Sequence, residues 1–103
     1  MADEKGLACM FVGAKLERDF HALYDDILDY DFDSALDHMS RIEMSFYESG
    51  GCGIDIDSLE GSLKKLQEGL RKMDSKAFED AYMLEKAIIS QELEGYREKR
   101  PRL

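Results

Sequence analysis

The sequence predicts an all-α fold, a four-helix bundle of two tandem antiparallel helical hairpins. Three observations predict it. Apolar residues recur at 4-3-4 spacing in successive stretches, which is the period of one helix face. The single proline, Pro101, lies beyond every periodic stretch, so nothing interrupts long helices. A glycine cluster, Gly50-Gly51-Cys52-Gly53, and candidate N-caps at Asp31, Asp57 and Asp74 stand at the junctions between the stretches.

In the first stretch the stripe is Leu16, Phe20, Leu23, Ile27 and Tyr30. Ahead of it, Leu7–Ala14 is an apolar N-terminal segment, whose folding back over the fourth helix is the alternative to self-association through that helix. The second stripe is Ala35, Met39, Ile42 and Phe46, with Asp31 or Asp33 placed to cap its start. Gly50-Gly51-Cys52-Gly53 then breaks the chain between hairpins. The third stripe is Leu59, Leu63, Leu66, Leu70 and Met73, with Asp57 or Ser58 as the expected N-cap. The fourth stretch, about 76–98 after Asp74 or Ser75, is apolar on two lines. Phe78, Tyr82 and Ile89 make one line; Ala77, Ala81, Leu84 and Ile88 make the other, with Met83 between them. Hairpin 1 is thus expected over about 15–49 and hairpin 2 over about 57–98, within one domain spanning 1–103. Short links within each hairpin make its helices antiparallel neighbours.

The halves match at an offset of 43. Cys9 falls on Cys52, Leu16 on Leu59, Glu17 on Glu60, Leu23 on Leu66, Asp31 on Asp74 and Asp37 on Asp80. These are six identities in 41 positions, where about two or three would arise by chance at average residue frequencies. Met39 falls on Tyr82 and Phe46 on Ile89, whereas Ile42 against Glu85 and Leu36 against Glu79 break the match.

Charge narrows the partners. The net charge is −9, which repels phosphate backbones and acidic membrane surfaces. Residues 1–50 carry 4 basic and 12 acidic side chains, whereas residues 51–103 carry 10 and 11. No stretch is long and apolar enough to span a bilayer. The segment Leu7–Ala14 follows Asp3 and Glu4 where a secretory signal needs basic charge. A cytoplasmic protein that binds neither nucleic acid nor membrane is expected. The basic tail from Tyr96 to Leu103 suits a helix C-terminus, where cations favour the dipole.

Several constellations bear on chemistry. Asp29, Asp31 and Asp33 alternate like the start of a calcium loop, but Ser34 stands where that loop needs glycine and Ser40 where it needs a bidentate glutamate. Glu17, His21 and Asp25 lie at i, i+4 and i+8, one stripe that could offer an imidazole between carboxylates to a divalent metal. Facing Glu-x-x-His segments, which a dinuclear site in a bundle requires, do not occur. Cys9 and Cys52 each precede a Leu-Glu pair, one ahead of each hairpin. Helices 1 and 3 run parallel in an up-down-up-down bundle, so both sulfurs are expected at one end as a redox or metal pair, or as small apolar filler. The sequence contains no nucleophile–base–orienter arrangement and no glycine-rich phosphate loop, so no catalytic activity and no cofactor is expected.

The tripeptide Asp57-Ser58-Leu59 opens the third helix. It resembles the phosphopantetheine attachment motif of acyl carrier proteins, which are small acidic four-helix bundles. The resemblance covers three residues and implies a prosthetic arm on Ser58. Such carriers place an acidic helix after the serine, whereas here Lys64 and Lys65 follow.

The favoured functional expectation is a protein-interaction or scaffold module that binds itself. Its expected contact is the second apolar face of helix 4, through Tyr82, Met83, Leu84, Ile88 and Ile89. A small metal or thiol redox protein is the alternative, and a carrier modified at Ser58 the third reading.

Overall fold

The computed structural model describes the backbone of residues 4–97 and the side chains of 6–91. It contains four helices, α1 (Glu4–Leu28), α2 (Phe32–Glu48), α3 (Ile56–Arg71) and α4 (Ala77–Arg97), with a 3₁₀ turn at Ser49–Cys52. There is no strand among the described residues. Each helix packs on its neighbours in sequence, and α4 closes the ring against α1. The bundle runs up-down-up-down. One end carries the two hairpin turns; the other carries the start of α1, the 3₁₀ turn, the start of α3 and the end of α4.

The expected stripes fill the core. Leu16, Phe20, Leu23 and Ile27 of α1 meet Ala35, Met39, Ile42 and Phe46 of α2, and Leu59, Leu63, Leu66 and Leu70 of α3 complete the interior. Burying each such side chain is worth about 1.5–3 kcal/mol, which is why polar, unremarkable helix surfaces still give a stable bundle. Ile54, in the link before α3, is also buried.

Four expectations are corrected. First, Leu7–Ala14 does not fold back over α4. It forms early turns of α1, because no proline or cap separates it from Leu16, and Val12 extends the buried stripe one turn earlier. Second, the cap of α3 is Asp55, not Asp57 or Ser58. Its carboxylate accepts the Ser58 N–H at 3.3 Å, and Asp57 falls inside the first turn, where its charge favours the helix dipole.

Third, Tyr30 and Met73 do not extend their stripes. Both lie past the helix ends with left-handed backbone, φ 57° and 54°, and both are exposed. The two hairpins turn in the same way. Asp31 N–H donates to Asp26 O at 2.8 Å and Tyr30 N–H to Ile27 O at 3.1 Å; Asp74 N–H donates to Gly69 O at 2.9 Å and Met73 N–H to Leu70 O at 3.1 Å. Each is a Schellman closure, with the left-handed residue in the place usually given to glycine. Every bond in one turn has its counterpart 43 residues later.

Fourth, the match changes register after the turn. Ala35 N–H bonds Asp31 O four residues back, but Ala77 N–H bonds Asp74 O three residues back. The second hairpin is therefore one residue shorter at this point. Buried Ala35, Met39, Ile42 and Phe46 correspond to buried Ala77, Ala81, Leu84 and Ile88 at an offset of 42. Ile42 against Leu84 and Leu36 against Phe78 now agree in burial, which removes both mismatches. The same slip explains the two lines on α4: Leu84 and Ile88, each 1% exposed, are core, and Tyr82 and Met83 face outward.

Asp31 caps α2 as expected, its carboxylate accepting Ser34 N–H at 3.2 Å. Asp74 does the same before α4, accepting Lys76 N–H at 2.9 Å.

Candidate functional site

The end of the bundle opposite the hairpin turns carries an uncharged helix surface and the disulfide. Residues 6–14 carry no charge, the longest such run in the sequence. As part of α1 they turn Val12 and Gly13 inward and leave Leu7, Met10, Phe11 and Ala14 outside. Leu7 is 52% exposed and Phe11 65%. Leu7 stands three residues before Met10 and four before Phe11, so the three share one surface of the helix. The segment is apolar in the sequence, but which of its side chains face out depends on the helix start at Glu4.

Beneath that surface Cys9 forms a disulfide with Cys52, their Cα atoms 5.7 Å apart. The bridge ties the second turn of α1 to the end of the 3₁₀ turn that joins the hairpins. The parallel course of α1 and α3 brings both sulfurs to one end, as the offset pairing predicted. Both residues are half-buried. Cys52 lies between Gly51 and Gly53, and a Cβ added at either glycine would meet nothing within 4 Å. Gly53 has φ 95°, a conformation that suits glycine and lets the chain leave the 3₁₀ turn toward Asp55. In the bridged form neither sulfur is a thiolate that could bind metal.

The outer face of α4 offers less than expected. Tyr82 and Met83 are exposed, Ile89 is half-buried, and Leu84 and Ile88 are withdrawn into the core. Lys86 Nζ lies 5.3 Å from the Tyr82 ring centroid, so part of that ring faces a cation. Phe78 is taken up by Tyr24 of α1, ring centroids 5.0 Å apart.

Glu17, His21 and Asp25 occupy successive turns of α1, all exposed. His21 meets Tyr24 edge-on at 6.2 Å between centroids. Among the described residues no group of three or more His, Cys, Asp and Glu side chains is disposed to hold a metal ion. Ser58 is exposed in the first turn of α3, and its hydroxyl donates to Asp55 O at 3.0 Å.

The polar residues that do converge tie helices together. His38 Nδ1 lies 2.6 Å from an Asp26 carboxylate oxygen and 3.1 Å from Ser34 O, linking α2 to α1. Two acceptors at one nitrogen place its proton there. Tyr24 donates to Glu85 at 2.6 Å, linking α1 to α4. Burial, with the Glu85 carboxylate beside it, pushes the Tyr24 phenol well above its ordinary range. Gln67 donates to Glu43 across α3 and α2, and Lys65 pairs with Asp80 across α3 and α4 at 3.6 Å. Asp19 is buried, with the Arg18 guanidinium 4.0 Å from its carboxylate. Its place three residues after Leu16, on the flank of the stripe, was the sequence signal for that burial.

No helix among the described residues is long and apolar enough to cross a membrane. No family model, curated protein or solved structure matches the chain.

Proposed function

We propose that this chain is a non-catalytic interaction module of the cytoplasm that binds a second copy of itself through the first turns of α1. The observation that carries the reading is the outward surface of Leu7, Met10 and Phe11. Large apolar side chains clustered on one helix face mark contact surfaces more often than ordinary surface does. Charge favours a second copy as the occupant. The acidic surplus sits in residues 1–50, 4 basic against 12 acidic side chains, so two copies repel across that half, and the run 6–14 is the uncharged stretch within it where they can meet. A two-fold contact there would lay Phe11 and Leu7 of one copy on the same residues of the other, the commonest arrangement for a homodimer. Tyr82 and Met83 form a smaller second patch, which gives a scaffold a place for another protein.

The same charge argues against nucleic acid and acidic membranes as partners. The non-catalytic part of the proposal rests on the residue inventory. The two half-buried acid–base pairs, Asp26 with His38 and Tyr24 with Glu85, each tie one helix to another.

Size-exclusion chromatography with light scattering, across a dilution series, tests the reading. A mass near twice 11.8 kDa at tens of micromolar, falling toward the monomer on dilution, is expected from a weak dimer of this kind. A constant monomer mass at every concentration would remove self-association.

A further inference from the structure

We infer that the Cys9–Cys52 bridge is a reversible redox site, exchanging with a dithiol reductant, that governs whether the first turns of α1 hold their apolar surface in place. The inference deepens the proposed interaction and rests on it for its consequence, but not for its chemistry.

Upstream of Val12, the described side chains of Leu7, Ala8, Met10 and Phe11 are exposed, and Gly6 and Cys9 are half-buried. No large apolar side chain of this segment is sunk in the core. A short helical segment that buries no apolar face is marginal in water, and Gly6 lowers its helix propensity further. The covalent link at Cys9 fixes this segment to the 3₁₀ turn, which is itself anchored by buried Ser49. With the bridge closed, Leu7, Met10 and Phe11 stand on one ordered face. With it open, the segment loses that anchor while the stripe from Leu16 to Ile27 stays buried.

The site is open to exchange. Cys52 is flanked by two exposed glycines without side chains to obstruct an incoming thiolate. A thiolate of the dithiol attacks Sγ of Cys52, forming a mixed disulfide and releasing Cys9 as thiolate. The second sulfur of the dithiol then attacks the first, releasing Cys52. Two electrons and two protons pass to the protein, which ends with two thiols, and the reductant leaves as its own disulfide. Glutathione disulfide re-forms the bridge: one protein thiolate attacks it, releasing one glutathione and leaving a mixed disulfide, and the other protein thiolate attacks the protein sulfur of that mixed disulfide, releasing the second glutathione. In a reducing cytoplasm a bridge of this kind is one that cycles rather than one that persists.

The test is hydrogen exchange read by peptide mass on the full chain, oxidised and after dithiothreitol, at a dilution where light scattering gives the monomer. The amides of Ala8 through Val12 report the first turns; those of Leu63 through Leu70 in α3 report the core. During a pulse short enough to leave α3 unexchanged, reduction should raise exchange at 8–12 by about tenfold or more. Cys52→Ser without reductant should behave like the reduced protein, and dithiothreitol should then change nothing. Adding glutathione disulfide to the reduced protein should restore both the mass of the bridged form, two hydrogens lighter, and the slow exchange. Equal exchange at 8–12 in the two states would overturn the inference, as would a bridge that resists dithiothreitol until α3 unfolds. Because the readout is made on monomer, its failure is separate from a failure to dimerise. Where dimerisation holds, the reduced protein should bind itself about tenfold more weakly.

Discussion

Tyr30 and Met73 carry the clearest residue-scale lesson. Both adopt the left-handed conformation, which costs a non-glycine residue about 1–2 kcal/mol, and both side chains reach into solvent. Glycine at either position should relieve that cost and offset its own loss of chain entropy. Tyr30→Gly and Met73→Gly are therefore each expected to raise stability by about 0.5–1 kcal/mol in urea unfolding; a loss of stability would mean that these side chains make contacts the bundle needs. At Leu66, fully buried in α3, truncation to alanine should cost about 2–5 kcal/mol with little change in the denaturant slope. A cost below 1 kcal/mol would place Leu66 outside the core. Tyr24 sets a pH dependence. Its phenol is held protonated in the fold, by burial first and by Glu85 second, while the unfolded chain ionises near its ordinary value of about 10. A raised folded value contributes stability that is fully present below pH ~10 and is lost as pH rises beyond it. The urea midpoint should fall above that pH, and Tyr24→Phe should fall less steeply; identical slopes would refute the assignment. The buried stripes were legible because Leu at 4-3-4 spacing has few alternatives. The exposure of Tyr30 and Met73 was not, since each continues its stripe in spacing and only the backbone turn takes it out.

Among the elements, the register slip between α2 and α4 separates what periodicity shows from what it hides. Six identities at offset 43 pointed to repeated hairpins, and the two closures agree bond for bond. Past the turn, the shift to offset 42 moves Leu84 and Ile88 inward and Tyr82 and Met83 outward. Two apolar lines on one helix cannot both face a core, and spacing alone does not say which one does. The start of α1 was obscure for a related reason: spacing alone does not show whether eight apolar or small residues ahead of a stripe continue its helix. Parallel helices and equal distance before each Leu-Glu put Cys9 and Cys52 at one end, but their bond was not legible, because two cysteines so far apart in sequence fit small apolar filler as well. The bridge spans a sequence separation of 43, and closing a loop of that length in the unfolded chain is worth about 2–4 kcal/mol on the chain-entropy view. Cys52→Ser should lower the unfolding free energy by that amount while far-ultraviolet circular dichroism stays strongly helical. No change in stability would show that the bridge is not formed in the protein at rest.

The whole molecule is a tightly packed, acidic bundle with one uncharged helix surface, which we propose it keeps for a second copy of itself. The core needs none of Leu7, Met10 or Phe11, and the helix ties at Asp26–His38, Tyr24–Glu85 and Lys65–Asp80 lie elsewhere. Fold and surface should therefore separate by mutation. The apolar stripes made the helical bundle legible from the sequence, while the location of its exposed apolar surface depended on where α1 begins. Sedimentation equilibrium of the oxidised chain beside its Phe11→Glu variant tests self-association through α1. The unaltered chain should be a concentration-dependent dimer, and Phe11→Glu a monomer with an unfolding free energy within about 0.5 kcal/mol of the unaltered chain, as expected for an exposed position. A monomeric unaltered chain, or a variant that dimerises as well as its parent, would contradict it.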